Sequence, residues 1–378
     1  MECSVREERL MIRVLHIVTY MGRGGLETML MNYYRHIDRN KVQFDFLVHR
    51  DFEADYDQEI LSMGGRIYHI SRLIPWSKIY RNKLKKFFHE HPDYRIIHVH
   101  QDCLSSVALQ CAKECNVPVR IAHSHNSSQD KNIKYLFKCY YMRKIPVYAT
   151  DLFACSDLAG KWMFGGEPFQ IIFNAIDAGK YVYSSEVARR VRNDLKIDKD
   201  YVIGHVGRFN PQKNHAFLLD VFAECVKINA NVKLILVGDG TGKKQIQDKV
   251  ESLGIKNNVI FMGVRTDVNE LLQAMDVFVF PSLYEGLGIS VIEAQAAGLP
   301  CVISDCIPDD CIVTKGLVEK LSLSTPPMQW AQVIMNLRGT YRTNQTNEIR
   351  NAGYDILEAT KKLEGFYLNK YAESKEKE

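Results

Sequence analysis

The chain has 378 residues, 46% of them hydrophobic and 25% charged, a balance that suits a soluble globular protein of two ordinary-sized domains. No apolar run approaches the roughly 18 residues needed to span a bilayer, and a net charge of +4 falls short of the basic bias that nucleic-acid binding requires. The ten cysteines show no CxxC pair or other metal-ligand spacing, which predicts reduced, structural thiols in a cytoplasmic protein.

"MECSVREERLMIRVLHIVTY" mixes both charge signs ahead of its apolar segment and lacks a small-residue cleavage site. It reads as a first β-strand and not as a secretion signal. Further β-branched runs follow, "VQFDFLVH", "RIYHI", "RIIHVH", "VRIAHSH", "DLFACS" and "QIIFNAI", with helix-length segments between them. A polar stretch from Tyr183 to Asp200 interrupts the pattern, which resumes in "YVIGHVG", "VKLILVG", "NVIFMG", "VFVFPS" and "PCVIS". From about Tyr354 the tail reads as a helix ending in the charged "ESKEKE". Continuous apolar strands alternating with helices predict parallel sheets covered on both faces. The interruption predicts two of them: an α/β protein with two doubly wound, Rossmann-like domains facing a central cleft, in which a ligand lies at strand carboxyl ends.

Candidate sites follow the strands. After the first, "MGRGGLET" sets Gly24 and Gly25 at a helix start, where bare N–H groups suit an anion, although a glycine pair also serves an ordinary turn. "HVHQD" and "AHSHNSS" place His98, His100, His123 and His125 at strand ends, each pair on one strand face. They suit a satisfied structural role or a cleft-facing one, and a metal site is disfavoured by the lack of a nearby acid. Two basic stretches, "SKIYRNKLKKFFHEHPDYR" and "DKNIKYLFKCYYMRKIPVY", interleave cations with apolar residues. Solvated helix faces explain both; in the second, Lys131, Lys134, Lys138, Arg143 and Lys144 also suit an anionic membrane or a phosphorylated acceptor.

In the second half, "GHVGRFNPQKNH" holds Arg208 and Lys213 across a Pro-containing turn. A guanidinium fork and a mobile ammonium match a pyrophosphate, and two solvated loop cations are the alternative. "LVGDGTGK" lacks the full phosphate-loop spacing and reads as a tight strand-to-helix turn that Asp239 caps. "PSLYEGLGISVIEAQAAGLP" reads as a strand end, a loop and an apolar helix closed by Gly298 and Pro300. Gly286 and Gly288 leave the helix start bare for an anion, Glu285 stands at the loop lip, and Glu293 lies within the helix, where a carboxylate needs donors. Ribose hydroxyls or local protein groups would both serve.

These motifs in this order resemble the retaining family-four glycosyltransferases. "PSLYEGLGISVIEAQAAGLP" is similar to that family's paired-glutamate signature, "VGRFNPQKN" to its Arg…Lys donor-phosphate motif and "GRGGLE" to its first-strand glycine loop, with "HVH", "FACS" and "NAID" as further landmarks. "HIVTYMGRGGLETMLMNYYRHID" and "AHSHNSS" resemble the capsular and exopolysaccharide branch. The resemblance implies a GT-B fold: an acceptor-binding domain over residues 1–180, a nucleotide-sugar domain over 181–352, and a last helix, 353–378, crossing back. It implies transfer of a hexose or N-acetylhexosamine from a UDP-sugar to a lipid-linked or polysaccharide-precursor hydroxyl, with retention of configuration and no metal or other cofactor. Arg208 and Lys213 would then hold the donor diphosphate, Glu293 the ribose, and Glu285 the transferred sugar and its phosphate. Gly24, Gly25, Gly286, Leu287 and Gly288 would line the phosphates, and His125, with His123 as the alternative register, would touch the sugar. "SDCIPDDCIVTKG" departs from the family's glycine-acid pattern. A peripheral position at the cytoplasmic membrane face is the matching expectation.

Three other readings share parts of this pattern. A nucleotide-sugar epimerase on the same fold would need no acceptor. A non-catalytic nucleotide-sugar-binding subunit would have no reason to keep Arg208, Lys213, Glu285 and Glu293 together. A nicotinamide dehydrogenase is opposed by the missing GxGxxG and its downstream acid.

Overall fold

A computed structural model describes residues 11–126 and 135–376. The chain divides into two compact units: unit one comprises Met1–Ala175 with Ile356–Glu378, and unit two comprises Ile176–Asp355. The crossings thus fall a few residues from the 180/181 and 352/353 read from the sequence. Ile176 belongs to unit two because its N–H donates to the Tyr354 carbonyl at 2.9 Å.

Unit one carries a seven-stranded sheet: β1 (Ile12–Ile17), β2 (Val42–Val48), β3 (Ile67–His69), β4 (Ile96–Val99), β5 (Val119–Ser124), β6 (Asp151–Ala154) and β7 (Gln170–Ile171). The order is β3-β2-β1-β4-β5-β6-β7, and every pair is parallel. Parallel strands buried on both faces need apolar side chains on both, which is why β2 is buried at all seven positions. The one acid in it, Asp45, is fully enclosed, and its oxygens accept from Arg13 at 2.6 and 2.7 Å and from the Tyr94 hydroxyl at 2.7 Å. A buried carboxylate so satisfied is tolerated. Helices Gly25–His36 and Ile356–Lys375 cover one face, where Tyr33, Leu363 and Tyr367 join Phe44, Phe46 and Phe153.

Unit two carries six strands: β8 (Tyr201–Val206), β9 (Val232–Val237), β10 (Val259–Gly263), β11 (Val277–Phe280), β12 (Cys301–Ser304) and β13 (Val318–Leu321). The order is β10-β9-β8-β11-β12-β13, again parallel throughout. β13 escapes the sequence reading because "VEKL" is a half-exposed edge strand without an apolar run. "QIIFNAI" joins the sheet of unit one at Gln170 and Ile171, and its Ile176 makes an isolated bridge to Asp355 in unit two. In each sheet the order reverses once, between β1 and β4 and between β8 and β11. Ligands in open α/β sheets bind at such reversals.

Candidate active site

The segments leaving β8 and β11, residues 207–214 and 281–288, are stitched together at the reversal in unit two. Leu283 N–H donates to the Gln212 carbonyl at 2.8 Å, the Gln212 amide donates to the Tyr284 carbonyl at 3.0 Å, and the Asn214 amide donates to the Pro281 carbonyl at 3.2 Å. Between them lies an ion pair: Lys213 Nζ stands 2.7 Å from Glu285 Oε1, with side-chain exposures of 17% and 8%. Gln212 Nε2 donates to Glu285 Oε2 at 3.3 Å, and Lys213 Nζ sits 4.6 Å from the centroid of the Phe280 ring. Glu285 is therefore buried and not at an open lip, because Lys213 and Gln212 together compensate a carboxylate that burial would otherwise penalise. Arg208, on the same segment, is exposed.

"LVGDGTGK" serves as a buttress for that segment. A Cβ on Gly238 (φ 135°) would lie 2.1 Å from the Gly207 carbonyl oxygen, and one on Gly240 (φ 157°) 2.5 Å from that of Phe209. Phe209 N–H donates to the Asp239 carbonyl at 3.0 Å and Gly242 N–H to the Phe209 carbonyl at 2.9 Å. Asp239 does not cap the next helix, Lys243–Ser252, whose N-cap Gly242 has no side-chain bond; its carboxylate accepts from the adjacent Gly240 N–H at 2.8 Å.

Helix Ile289–Ala296 starts at Gly288, which holds φ 87° and leaves the start without a side-chain cap. Its orphan N–H groups and dipole favour an anion there. Leu287 is buried at 2% exposure, so its contribution to a ligand would come from the backbone. Glu293 on this helix accepts from the Tyr181 hydroxyl at 2.8 Å. Burial raises its pKa to about 7, against the smaller lowering by Tyr181. The helix also anchors the unusual "SDCIPDDCIVTKG" loop: Gln295 Oε1 accepts from the Val313 and Thr314 N–H groups, both at 2.9 Å, and its amide donates to the Cys311 carbonyl at 2.7 Å.

At the reversal in unit one, register brings five imidazoles onto one sheet face. His16 lies opposite His98, and His100, His123 and His125 continue that face beyond β4 and along β5. His16 Nδ1 is 3.1 Å from His100 Nε2, and His100 Nδ1 is 2.9 Å from His125 Nε2. His98 Nδ1 is 2.7 Å from the Tyr367 hydroxyl, and its Nε2 is 3.2 Å from His123 Nδ1. His123 is fully buried, whereas the His125 side chain retains partial exposure although its Nδ1 is enclosed. Burial lowers all five pKa values, to about 3 for His16 and His125. Two triplets, His16/His98/His100 and His100/His123/His125, have nitrogens within 4.8 Å of one another. Gly24 caps helix Gly25–His36 in an extended conformation that any residue adopts, and a Cβ on Gly25 would meet nothing within 4 Å. The fold therefore leaves open space in front of Gly25.

The sequence reading missed Tyr181, Gln212 and His16. Each is a single polar residue in an ordinary context, and its importance comes from a partner 112, 73 or 84 positions away. Among the described residues the cysteines form no disulfide. Of the basic stretch, Lys131 and Lys134 lie outside the described residues, while Lys138, Arg143 and Lys144 lie on or just after helix Tyr135–Met142.

The fold and these loops define a class, the proteins built of two Rossmann-like units with parallel sheets, and comparison with known proteins agrees. Residues 188–325 match the family described as glycosyl transferases group 1, and residues 23–179 match glycosyltransferase family 4. EpsF of Bacillus subtilis (strain 168), which carries a glycosyltransferase name, is 37% identical over 97% of this chain and 98% of its own length. The capsular polysaccharide biosynthesis glycosyltransferase CapH of Staphylococcus aureus is 25% identical over 95% of this chain and 99% of its own. Among solved structures, Anabaena HepE in complex with UDP and glucose superposes with a TM-score of 0.80 at 19% identity, covering 94% of this chain and 99% of that one. The chain belongs to the family-four glycosyltransferases of GT-B fold.

Proposed function

We propose that this glycosyltransferase moves a hexose or N-acetylhexosamine from UDP to a hydroxyl of a lipid-linked or polysaccharide-precursor acceptor, with retention of configuration and without a metal ion. The observation that carries the reading is the buried Lys213–Glu285 pair beside the uncapped start of helix Ile289–Ala296. As the sugar C1–O bond to the diphosphate breaks, negative charge grows on the leaving phosphate. Fixed cations and helix N–H groups already aimed at that charge stabilise it without reorganising. Lys213 and Arg208 hold the diphosphate in this scheme, with backbone N–H groups of Gly286, Leu287 and Gly288. Glu285 orients both Lys213 and the transferred sugar. The acceptor oxygen bonds to C1 on the face the phosphate leaves, and its proton passes to that phosphate. Gly24 and Gly25 admit a phosphate closely, and His125 donates a hydrogen bond to the sugar. That HepE holds UDP and glucose supports a UDP-sugar donor.

Glu293 takes the ribose hydroxyls, joining them to the Tyr181 bond it already accepts. In a thermal-shift screen, a matching UDP-sugar at 100 times its Kd should stabilise the protein by about 2.7 kcal/mol. Glu293→Ala should lose most of the response to UDP; an undiminished response would remove Glu293 from the ribose site. Isomerised donor accumulating without acceptor would favour an epimerase instead.

The acceptor side of the proposal rests on a surface of unit one. Trp76, Ile79, Leu136 and Phe137 are 72, 71, 78 and 62% exposed, and the Trp76 and Phe137 rings lie 6.2 Å apart. Lys138, Arg143 and Lys144 accompany them, Lys144 standing over the Tyr140 ring at 4.1 Å. Contiguous aromatic residues edged by cations fit an anionic bilayer surface, and no helix among the described residues is long and apolar enough to cross one. Vesicles containing phosphatidylglycerol should carry the protein upward in flotation, and purely zwitterionic vesicles should not. Trp76→Ser with Phe137→Ser should abolish flotation, and equal flotation by the variant would rule this surface out.

A further inference from the structure

The Glu293 carboxylate has one hydrogen-bond partner among the described residues, the Tyr181 hydroxyl 2.8 Å from its Oε1. The residue is half-buried. Its Oε2 has no partner there, and it is not one of the enclosed orphan atoms of unit two, which are His205 Nε2, both His215 nitrogens, Ser282 Oγ and Thr314 Oγ1. One oxygen is held and the other is open. A carboxylate that serves the fold alone is satisfied at both oxygens, as Asp45 is: Arg13 donates to each, the Arg66 N–H to Oδ1 and the Tyr94 hydroxyl to Oδ2.

The group that holds Oε1 is itself held. Tyr181 ends a short turn, Ala178–Tyr181, that is fastened to helix Val268–Ala274. The Gln273 amide donates to the Tyr181 carbonyl at 3.0 Å and to the Asn269 carbonyl at 3.1 Å, while its Oε1 accepts from the Ser184 N–H at 3.1 Å. Gln273 is only 4% exposed, so both ends of a buried amide are committed to fixing residues 181–184. The Asn269 amide adds a bond to the Lys180 carbonyl at 3.3 Å, and the Arg342 guanidinium lies 4.7 Å over the Tyr183 ring.

Position along the helix points the same way. Glu293 stands five residues beyond Gly288, about 7.5 Å along the axis, and one turn beyond Ile289 on the same face. A diphosphate at the uncapped start brings the ribose attached to it within reach of that turn. The direction of the bond is set by its chemistry: an ionised carboxylate only accepts, so the hydroxyl donates. Burial pushes the Glu293 carboxyl up to about 7, and the Tyr181 bond acts against that rise.

We infer that Tyr181 is a positioning residue for the nucleotide's ribose: it ties Glu293 by Oε1 and leaves Oε2 facing the hydroxyls, so that the site selects a ribonucleotide over a nucleotide without them. This rests on Glu293 being the ribose acceptor; Tyr181 is the residue that aims it. In this scheme Tyr181 acts through Glu293 and touches no part of the donor, and Gln273 keeps the hydroxyl in place by anchoring the backbone on either side of it.

Isothermal titration of the full chain at pH 7.5 with UDP and with dideoxy-UDP, which lacks both ribose hydroxyls, reads the contact as a ratio of affinities. The wild type should prefer UDP by roughly tenfold or more, the worth of a hydrogen bond to a charged group. Glu293→Ala should abolish the preference. Tyr181→Phe, which keeps the ring and removes only the hydroxyl, should lower the ratio roughly fivefold, the worth of one ordinary hydrogen bond, with dideoxy-UDP affinity unchanged. A preference lost in Glu293→Ala but kept in Tyr181→Phe would overturn the positioning role and leave the ribose reading standing. Equal losses for both nucleotides in Tyr181→Phe would show a merely structural hydroxyl and overturn it too. A preference kept in Glu293→Ala would remove Glu293 from the ribose, and the role of Tyr181 with it.

Discussion

Lys213→Met is expected to lower sugar transfer by roughly 10²–10³-fold, the loss typical of removing one preorganised donor to a developing negative charge. It is also expected to destabilise unit two by about 3 kcal/mol or more, because Glu285 then remains buried without its cation. At about 2–4 °C per kcal/mol for a unit of this size, that is a fall of at least roughly 6 °C in its melting. The two effects separate in a double-mutant cycle. Glu285→Gln in the Lys213→Met background removes the stranded charge, so most of the stability should return while activity stays low. Differential scanning calorimetry and a radiolabelled-sugar assay would read the two axes. If the double variant recovered transfer along with stability, Lys213 would be a structural partner of Glu285 and nothing more.

Unit one is expected to lose stability steeply below about pH 6.5, through the same histidines that build its sheet face. An unfolded histidine titrates near 6.5, whereas His16 and His125 in the fold titrate at about 3. Between those values the unfolded chain binds more protons than the folded one, so stability is complete above pH 6.5 and is lost as pH falls. Each such group contributes about 1.4 kcal/mol per pH unit, or roughly 2 kcal/mol by pH 5. His98, His100 and His123 shift in the same direction for the same reason, desolvation by burial. In unit two His205 and His215 also shift downward, His215 to about 4. With marginal overall stabilities of about 5–15 kcal/mol, unit one should melt first on acidification. Hydrogen exchange resolved by peptide at pH 7.5, 6 and 5 would show amides of β1, β4 and β5 losing protection ahead of β8 and β11. Equal protection at all three values would refute the prediction.

Elements whose signal is local were legible in the chain. The strands β1, β2, β8, β9 and β11 are rich in apolar residues because both faces of a parallel sheet are covered. Gly288 and Gly298 punctuate a helix by allowing left-handed backbone, at φ 87° and 65°. β13 was not legible, since a half-exposed edge strand, "VEKL", has little apolar surplus to announce it. The role of "LVGDGTGK" was half legible: its glycines mark a tight turn, but the need for them comes from the backbone of residues 207–209 approaching from another strand.

What the sequence by itself determined is the class of architecture and the set of residue types at the strand ends. Periodicity and glycine placement depend on neighbours a few residues apart, and the motifs from Gly24 to Glu293 keep their order along the chain. What only the tertiary structure decided is who pairs with whom. Lys213 and Glu285, expected to serve different parts of a donor, hold each other. Glu293 already has Tyr181, and His125 stands at the end of a row that begins at His16 on the first strand. Those pairings arise where parallel crossovers return distant segments to one sheet edge, so the electrostatics of each site belong to the fold and not to any stretch of the chain.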